Sequence, residues 1–301
     1  MTPVIEVTGL TKRYGGQPVV DGISFDVERG EILGPNGAGK TTTVECLEGL
    51  RRRDAGQVRI LGLDPQADGH RLHQRIGVQL QETQLQDKLT VAEALRLYAS
   101  LYPDPADWRE LADRWGLAGQ RGASFRKLSG GQKQRLFIAL ALVGNPEVVF
   151  LDELTSGLDP GARRATWDLI AQVRDSGVTV VLVSHFMDEV EELCDRVAIL
   201  ERGRIAALDT PAGLVDAAGG EYRMRFRPFE AGLEEQSLAA LPGVSAVRRH
   251  GAHITVTGTG DFASAVTADL ARRQILVADL RIEGRSLDSA YVALTGQSMD
   301  T

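Results

Sequence analysis

The eight residues Gly34-Pro35-Asn36-Gly37-Ala38-Gly39-Lys40-Thr41 follow the pattern G-x-x-x-x-G-K-S/T, after the apolar pair Ile32-Leu33 and before a helix-like run. Such a pattern restricts the fold to one in which a strand hands a glycine-rich loop to the N-terminus of a helix. Each residue type has a chemical reason. Glycines let backbone N–H groups curl around phosphates, Lys40 neutralises β/γ oxygens, the Thr41 hydroxyl can bind Mg²⁺, and the helix dipole favours an anion. Gly34 to Thr42 are therefore the candidate nucleotide-binding residues of this segment.

The rest of the first two thirds agrees with that architecture. Strand-like and helix-like runs alternate, and Val148–Leu151 and Val178–Val183 are continuous apolar strands of the kind buried on both faces of a parallel sheet. Thr90 with Glu93 three residues on reads as a capping box opening a helix to Tyr102, and a second helix is expected over Ala106–Trp115. A second domain is expected after the small-residue stretch Ala217–Gly220, in the order strand, helix, two strands, helix, strand, short helix, which fits a split βαβ sandwich. The expected division is residues 1–218 with a helical insert at about 84–128, then 219–301.

Composition narrows the function classes. With 34 Lys+Arg against 41 Asp+Glu, the net charge of −7 argues against nucleic acid as a main partner. The opening MTPVIEV has no cationic leader, and apolar stretches such as Leu136–Val143 fall short of the ~20 residues that span a bilayer, so a cytoplasmic chain is expected. Cys46 and Cys194 read as reduced core thiols.

Two further constellations carry chemistry. The strand Val148–Leu151 delivers Asp152 and Glu153 at its carboxyl end, where open α/β sheets place ligands; Asp152 is a candidate Mg²⁺ ligand and Glu153 a candidate base for an attacking water. Leu128-Ser129-Gly130-Gly131-Gln132 opens another helix with a second anion-binding N-terminus. One nucleotide hardly needs two cradles. The second is expected to serve a nucleotide held by another copy of the chain. The acidic helix start Asp188, Glu189, Glu191, Glu192 and the run Arg51-Arg52-Arg53 read as solvated faces.

Taken together, GPNGAGKT, LSGGQ and VVFLDE resemble the ATP-binding subunit of an ABC transporter over nearly all of residues 4–215. The resemblance implies a P-loop ATPase domain of α/β class, with a parallel-sheet core, an antiparallel β subdomain and a helical subdomain, followed here by a small C-terminal α+β domain. It implies that Tyr14 stacks on adenine, that Gln81 links Mg²⁺ to the membrane subunit, that Ser156-Gly157-Leu158-Asp159 is the D-loop, and that His185 contacts the γ-phosphate. Glu153, His185, Lys40 and Gln81 are then the catalytic set, Thr41, Gln81 and Asp152 the metal set, and Tyr14, Gly34–Thr42, Ser129, Gly130, Gly131, Gln132 and Asp159 the nucleotide contacts. ATP and Mg²⁺ are the implied cofactors. Within the family, RRRDAGQVRILGLDP, FMDEVEELCDRVAILERGRIAALDTP and SLDSAYVALTG are similar to drug-exporter subunits of the daunorubicin-resistance type. That implies separately encoded membrane permease subunits, a homodimer through the nucleotide sites, no nucleic-acid partner, and a place on the inner face of the cell membrane. The alternatives are a soluble ATPase of translation or repair, and a non-hydrolysing nucleotide-binding regulator.

The sequence departs from the family at two points. The family pattern before the P-loop reads like GEIFGLLGPNG, whereas Gly30-Glu31-Ile32-Leu33 runs straight into Gly34, about three residues short. At ~3.3 Å per strand residue the deficit is roughly 10 Å. Either the turn at Glu28–Gly30 is drawn inward, or the P-loop is displaced, or the sequence differs from its functional parent. The second departure is Leu154 in place of the proline of DEPTSGLD, which is expected to leave Glu153 less constrained and to slow hydrolysis modestly.

Overall fold

A computed structural model describes residues 3–29, 32–37, 39–79, 85–219, 222–229, 233, 235–284 and 286–295. The chain divides into two compact units, Met1–Pro211 and Ala212–Thr301.

The first unit opens with β1 (Ile5–Tyr14), β2 (Gln17–Val27), β3 (Ile32–Gly37), α1 (Lys40–Leu47), β4 (Ala55–Ile60), α2 (Gly69–His73) and β5 (Ile76–Gln79). It continues with α3 (Val91–Ala99), α4 (Trp108–Arg114), α5 (Gly130–Leu142), β6 (Val148–Asp152), α6 (Pro160–Asp175), β7 (Thr179–Val183), α7 (Met187–Leu193), β8 (Arg196–Glu201) and β9 (Arg204–Asp209). β2, β1 and β4 form an antiparallel sheet in that order, and the main sheet runs β5-β6-β7-β3-β8-β9, parallel as far as β8 and closed by antiparallel β9. Every residue of β6 and β7 is buried, as their unbroken apolar runs require. Val44 and Leu47 of α1 share one core cluster with Ile5 and Leu10 of β1 and with Phe150 and Val181 of the main sheet, which fixes where α1 begins.

Local capping sets the helix starts. Thr90 and Glu93 form the reciprocal capping box of α3, Asp107 caps α4, and Ser129 with Gln132 forms the box that opens α5. These contacts satisfy amide groups that an exposed helix end leaves without partners.

α8 (Pro211–Ala217) spans the division between the units. The second unit then contains β10 (Tyr222–Pro228), α9 (Glu235–Ala239), β11 (Val244–His250), β12 (His253–Gly258), α10 (Phe262–Arg272), β13 (Val277–Glu283) and α11 (Leu287–Thr295). Its antiparallel sheet has the order β11-β12-β10-β13, the split βαβ arrangement. Strand alternation turns Met224, Phe226, Ile254 and Val256 into a core with Phe262, Val266 and Leu270 of α10, and leaves Arg223 and Arg225 exposed.

Candidate functional site

The carboxyl ends of three neighbouring parallel strands carry the chemistry. β6 ends in Asp152 and leads to Glu153, β7 leads through Ser184 to His185, and β3 leads through Gly39 to Lys40, the first residue of α1. Lys40 Nζ lies 2.8 Å from Glu153 Oε1, and His185 Nδ1 lies 3.7 Å from the same oxygen. Lys40 and His185, more than a hundred positions apart along the chain, thus meet at the one carboxylate of Glu153. Gly39 caps α1 at φ 98°, and a Cβ there would stand 2.8 Å from the Val19 carbonyl oxygen, so only glycine makes this turn.

Asp152 sits deeper. Its backbone N–H donates to Gln79 Oε1 at 3.2 Å, while its Oδ1 is buried with no hydrogen-bond partner among the described residues. Burial, and then the neighbouring Glu153 carboxylate, push its pKa up to about 6. An ionised carboxylate in such a place calls for a cation. Asp152 and the exposed Thr41 hydroxyl in the first turn of α1 suit a hard oxygen-seeking ion such as Mg²⁺. Gln81, the third residue of the expected metal set, lies outside the described residues, as does Ala38.

The P-loop differs most from expectation. Gly34, Pro35, Asn36 and Gly37 run extended in β3, in register with Val197, Ala198, Ile199 and Leu200 of β8. The cause is the short approach strand. β3 lies between β7 and β8, and Ile32-Leu33 alone cannot satisfy the backbone groups of a six-residue neighbour. Pairing with β7 stops at Leu33, so from Gly34 onward the strand is laddered on one side only, the condition under which a proline is tolerated. Of the three outcomes left open by the sequence, the structure takes the displaced loop. The four residues hold a ladder and are not curled around an anion.

Glu153 adopts φ 48°, a left-handed conformation unusual for a side-chain-bearing residue, and its N–H donates to the Val183 carbonyl at 2.8 Å. A proline at 154 would disfavour this conformation; the buried Leu154 permits it. Leu154→Pro is therefore expected to shift Glu153 toward extended backbone, loosen its pairing with Lys40, and raise ATP turnover a few-fold. Steady-state phosphate release measures this, and an unchanged or lower rate would count against the link.

Tyr14 ends β1 half-exposed, with Lys12 Nζ 5.6 Å and the Arg51 guanidinium 5.4 Å from its ring centroid. Thr42 is partly buried, and Thr43 donates to the Gly39 carbonyl at 2.8 Å. Ser129 Oγ accepts from Gln132 N–H at 3.3 Å, and the first amides of α5, those of Gly130 and Gly131, have no intrahelical acceptor by helix geometry. Asp159 Oδ1 accepts from the N–H groups of Gly161 and Ala162, both at 3.0 Å, which makes it the N-cap of α6.

Two readings of solvated faces are corrected. Asp188, Glu191 and Glu192 are exposed, but Glu189 is fully buried and accepts from Trp167 Nε1 at 2.9 Å, tying α7 to α6. Arg52 is exposed, whereas Arg53 makes a bidentate pair with Asp64 at 3.0 and 2.6 Å. Cys46 and Cys194 are buried free thiols.

Gln79, Gln84 and Gln86 flank Gln81 and are rivals for its role in the sequence; of these the structure sets Gln79 against the Asp152 amide, whereas Glu48 carries no assignment from sequence. Glu48 is the C-cap residue of α1, four residues after the buried Val44, a legible signal, and its Oε1 is buried without a partner among the described residues. Burial, reinforced by Asp152 and Glu45, pushes its pKa up to about 8. A carboxyl whose folded pKa is raised binds a proton that the unfolded chain releases near pH 4, so stability falls as pH rises from about 4 to 8. Glu48→Gln is expected to stabilise the fold by about 1–3 kcal/mol at pH 8 and by nothing near pH 4. Thermal unfolding across that range tests this, and a gain independent of pH would contradict it.

The family model described as "ABC transporter" matches residues 20–156. The chain is 34% identical over 313 residues to the daunorubicin/doxorubicin resistance ATP-binding protein DrrA of Streptomyces peucetius, covering 99% of this chain and 94% of that one. It is 40% identical over 222 residues to a Nod factor export ATP-binding protein I of Ralstonia nicotianae, covering 71% and 69%. A solved ATP-binding subunit of an ABC transporter superposes with a TM-score of 0.64 at 27% identity, over 72% of this chain and 93% of that one.

Proposed function

Because this chain belongs to the ABC transporter family of ATP-binding proteins, we propose that it is the ATP-hydrolysing subunit that powers a drug- or antibiotic-type exporter. It works with separately encoded membrane permease subunits at the inner face of the cell membrane. No helix among the described residues is long and apolar enough to cross a membrane, in keeping with a spanning path supplied by other chains. The observation that carries the reading is the meeting of Lys40, Glu153 and His185 beside Asp152 at the ends of three parallel strands.

In this reading the adenine stacks on Tyr14, and Lys40 exchanges Glu153 for the γ-phosphate. Glu153, released from that pair, accepts a proton as water bonds to the γ-phosphorus and the bridging oxygen leaves with its electron pair. His185 and Lys40 oppose the charge that develops on the phosphoryl oxygens. Asp152 and Thr41, with Gln81, would hold Mg²⁺, which neutralises β- and γ-phosphate charge when bound. Ser129, Gly130 and Gly131 of a second copy complete the site across a homodimer, and Asp159 stands near that junction as the cap of α6.

A second reading, a nucleotide-binding regulator that does not hydrolyse, draws on one observation: four P-loop residues are engaged in the β3 ladder. Phosphate release at saturating ATP with Mg²⁺, measured over a range of chain concentrations, separates the two. The exporter reading expects turnover per chain that rises with concentration before it levels off. ATP bound with no release at any concentration would favour the regulator, and concentration-independent turnover would remove the shared site.

A further inference from the structure

The outer face of the C-terminal sheet concentrates positive charge in a chain whose net charge is −7. Strand register sets Arg248 opposite Thr255, Thr255 opposite Arg225, and Arg225 opposite Arg281, so one cross-strand row holds three guanidiniums, two of them directly opposed. Arg223 lies in the adjacent row, opposite Thr257 on one side and opposite the acidic Glu283 on the other. Neighbouring arginines off this row are neutralised: Arg227 pairs with Asp279 at 3.1 Å and Arg249 with Glu235 at 3.3 Å. Arg225, Arg248 and Arg281 are exposed and have no acidic partner among the described residues.

Like charges directly opposed across a sheet are destabilising, and opposite charges or threonines would stabilise the same positions. The row is therefore a standing cost to this unit that a bound anion reverses. The face is also concave. Arg223, Arg225, Arg248, His250, His253 and the threonine side chains line a groove of about 660 Å³.

We infer that this groove is a binding site for a multiply charged phosphate group. Guanidinium forks match phosphate oxygens two at a time, and the Thr255 hydroxyl adds a donor on the same face, while Thr257 Oγ1 donates to the Ala246 carbonyl at 3.4 Å. A single carboxylate would engage one fork and leave the others uncompensated. Single-stranded nucleic acid is disfavoured because such surfaces stack successive bases on large aromatic side chains, and no Phe, Tyr or Trp lines the groove, whose only rings are the imidazoles of His250 and His253; Tyr222 and Phe226 alternate to the other face. The phosphate group can belong to a free anion or to a lipid headgroup, and the test separates these sources.

The experiment uses the full chain carrying Lys40→Ala, which weakens phosphate binding in the first unit. Inorganic pyrophosphate is titrated calorimetrically at low salt, and vesicles of phosphatidylglycerol in phosphatidylcholine, or of phosphatidylcholine alone, are used in flotation. The proposal expects Arg225→Gln with Arg248→Gln to weaken pyrophosphate binding, anionic-vesicle binding, or both, by at least about tenfold, with partial recovery for the paired lysine substitutions. Loss of the pyrophosphate arm alone assigns a free anion, and loss of the vesicle arm alone assigns a headgroup. Without ligand, the double glutamine variant is expected to unfold at the same or a higher temperature, because it relieves repulsion. Binding in both arms that the double variant leaves unchanged would overturn the proposal. So would a lowered unfolding temperature, which would make the arginines structural.

Discussion

At saturating ATP, Glu153→Gln is expected to lower kcat by about 10²- to 10⁴-fold, equivalent to about 3–5 kcal/mol of barrier, while ATP binding is kept. The substitution preserves shape and removes the carboxylate proposed to take the proton of an attacking water. It also removes the ion pair at 2.8 Å that holds Lys40 away from a phosphate, so ATP affinity should stay level or tighten. That combination is informative, because simple damage to the fold would lower affinity and turnover together. Single-turnover phosphate release combined with equilibrium ATP binding measures both. Near-normal turnover would remove Glu153 from the mechanism.

Most of the architecture was legible because it is written in local chemistry. The capping boxes of α3 and α5 need only a Ser or Thr with Glu or Gln three residues on, and Thr90–Glu93 and Ser129–Gln132 supply them. The buried strands β6 and β7 announce themselves as unbroken apolar runs that end where Asp152 and His185 stand. The second unit follows the expected element order, although the division falls at Pro211–Ala212, ahead of the small-residue stretch, inside α8.

What was not legible depends on distant partners. Glu189 belongs to an acidic run that looks solvated, and only the approach of Trp167 from α6 makes it a buried acceptor. Arg53 is one of three adjacent arginines until Asp64 arrives with matching geometry. The fate of Gly34–Gly37 required knowing that β3 lies between two strands whose backbone groups must be satisfied, a demand of sheet order that no local pattern expresses. The left-handed Glu153 likewise follows from the meeting of β6, β7 and α1, with Leu154 only permitting it.

We propose that these strand ends form a nucleotide site whose phosphate cradle is partly taken up by β3. Binding of ATP with the P-loop curled requires Gly34–Gly37 to leave four register positions against β8. At a net ~1 kcal/mol per backbone hydrogen bond, releasing two to four of them reduces apparent affinity by about 30- to 10³-fold relative to a preformed loop. Inserting Phe-Gly-Leu between Ile32 and Leu33 gives the strand its missing length and frees the motif. The decisive measurement is equilibrium binding of ATP with Mg²⁺ to the purified chain beside this insertion variant. Saturable binding by both is expected, tighter by at least about tenfold in the variant. Equal affinities would show that the ladder does not hold the loop, and absence of binding by both would contradict the site itself.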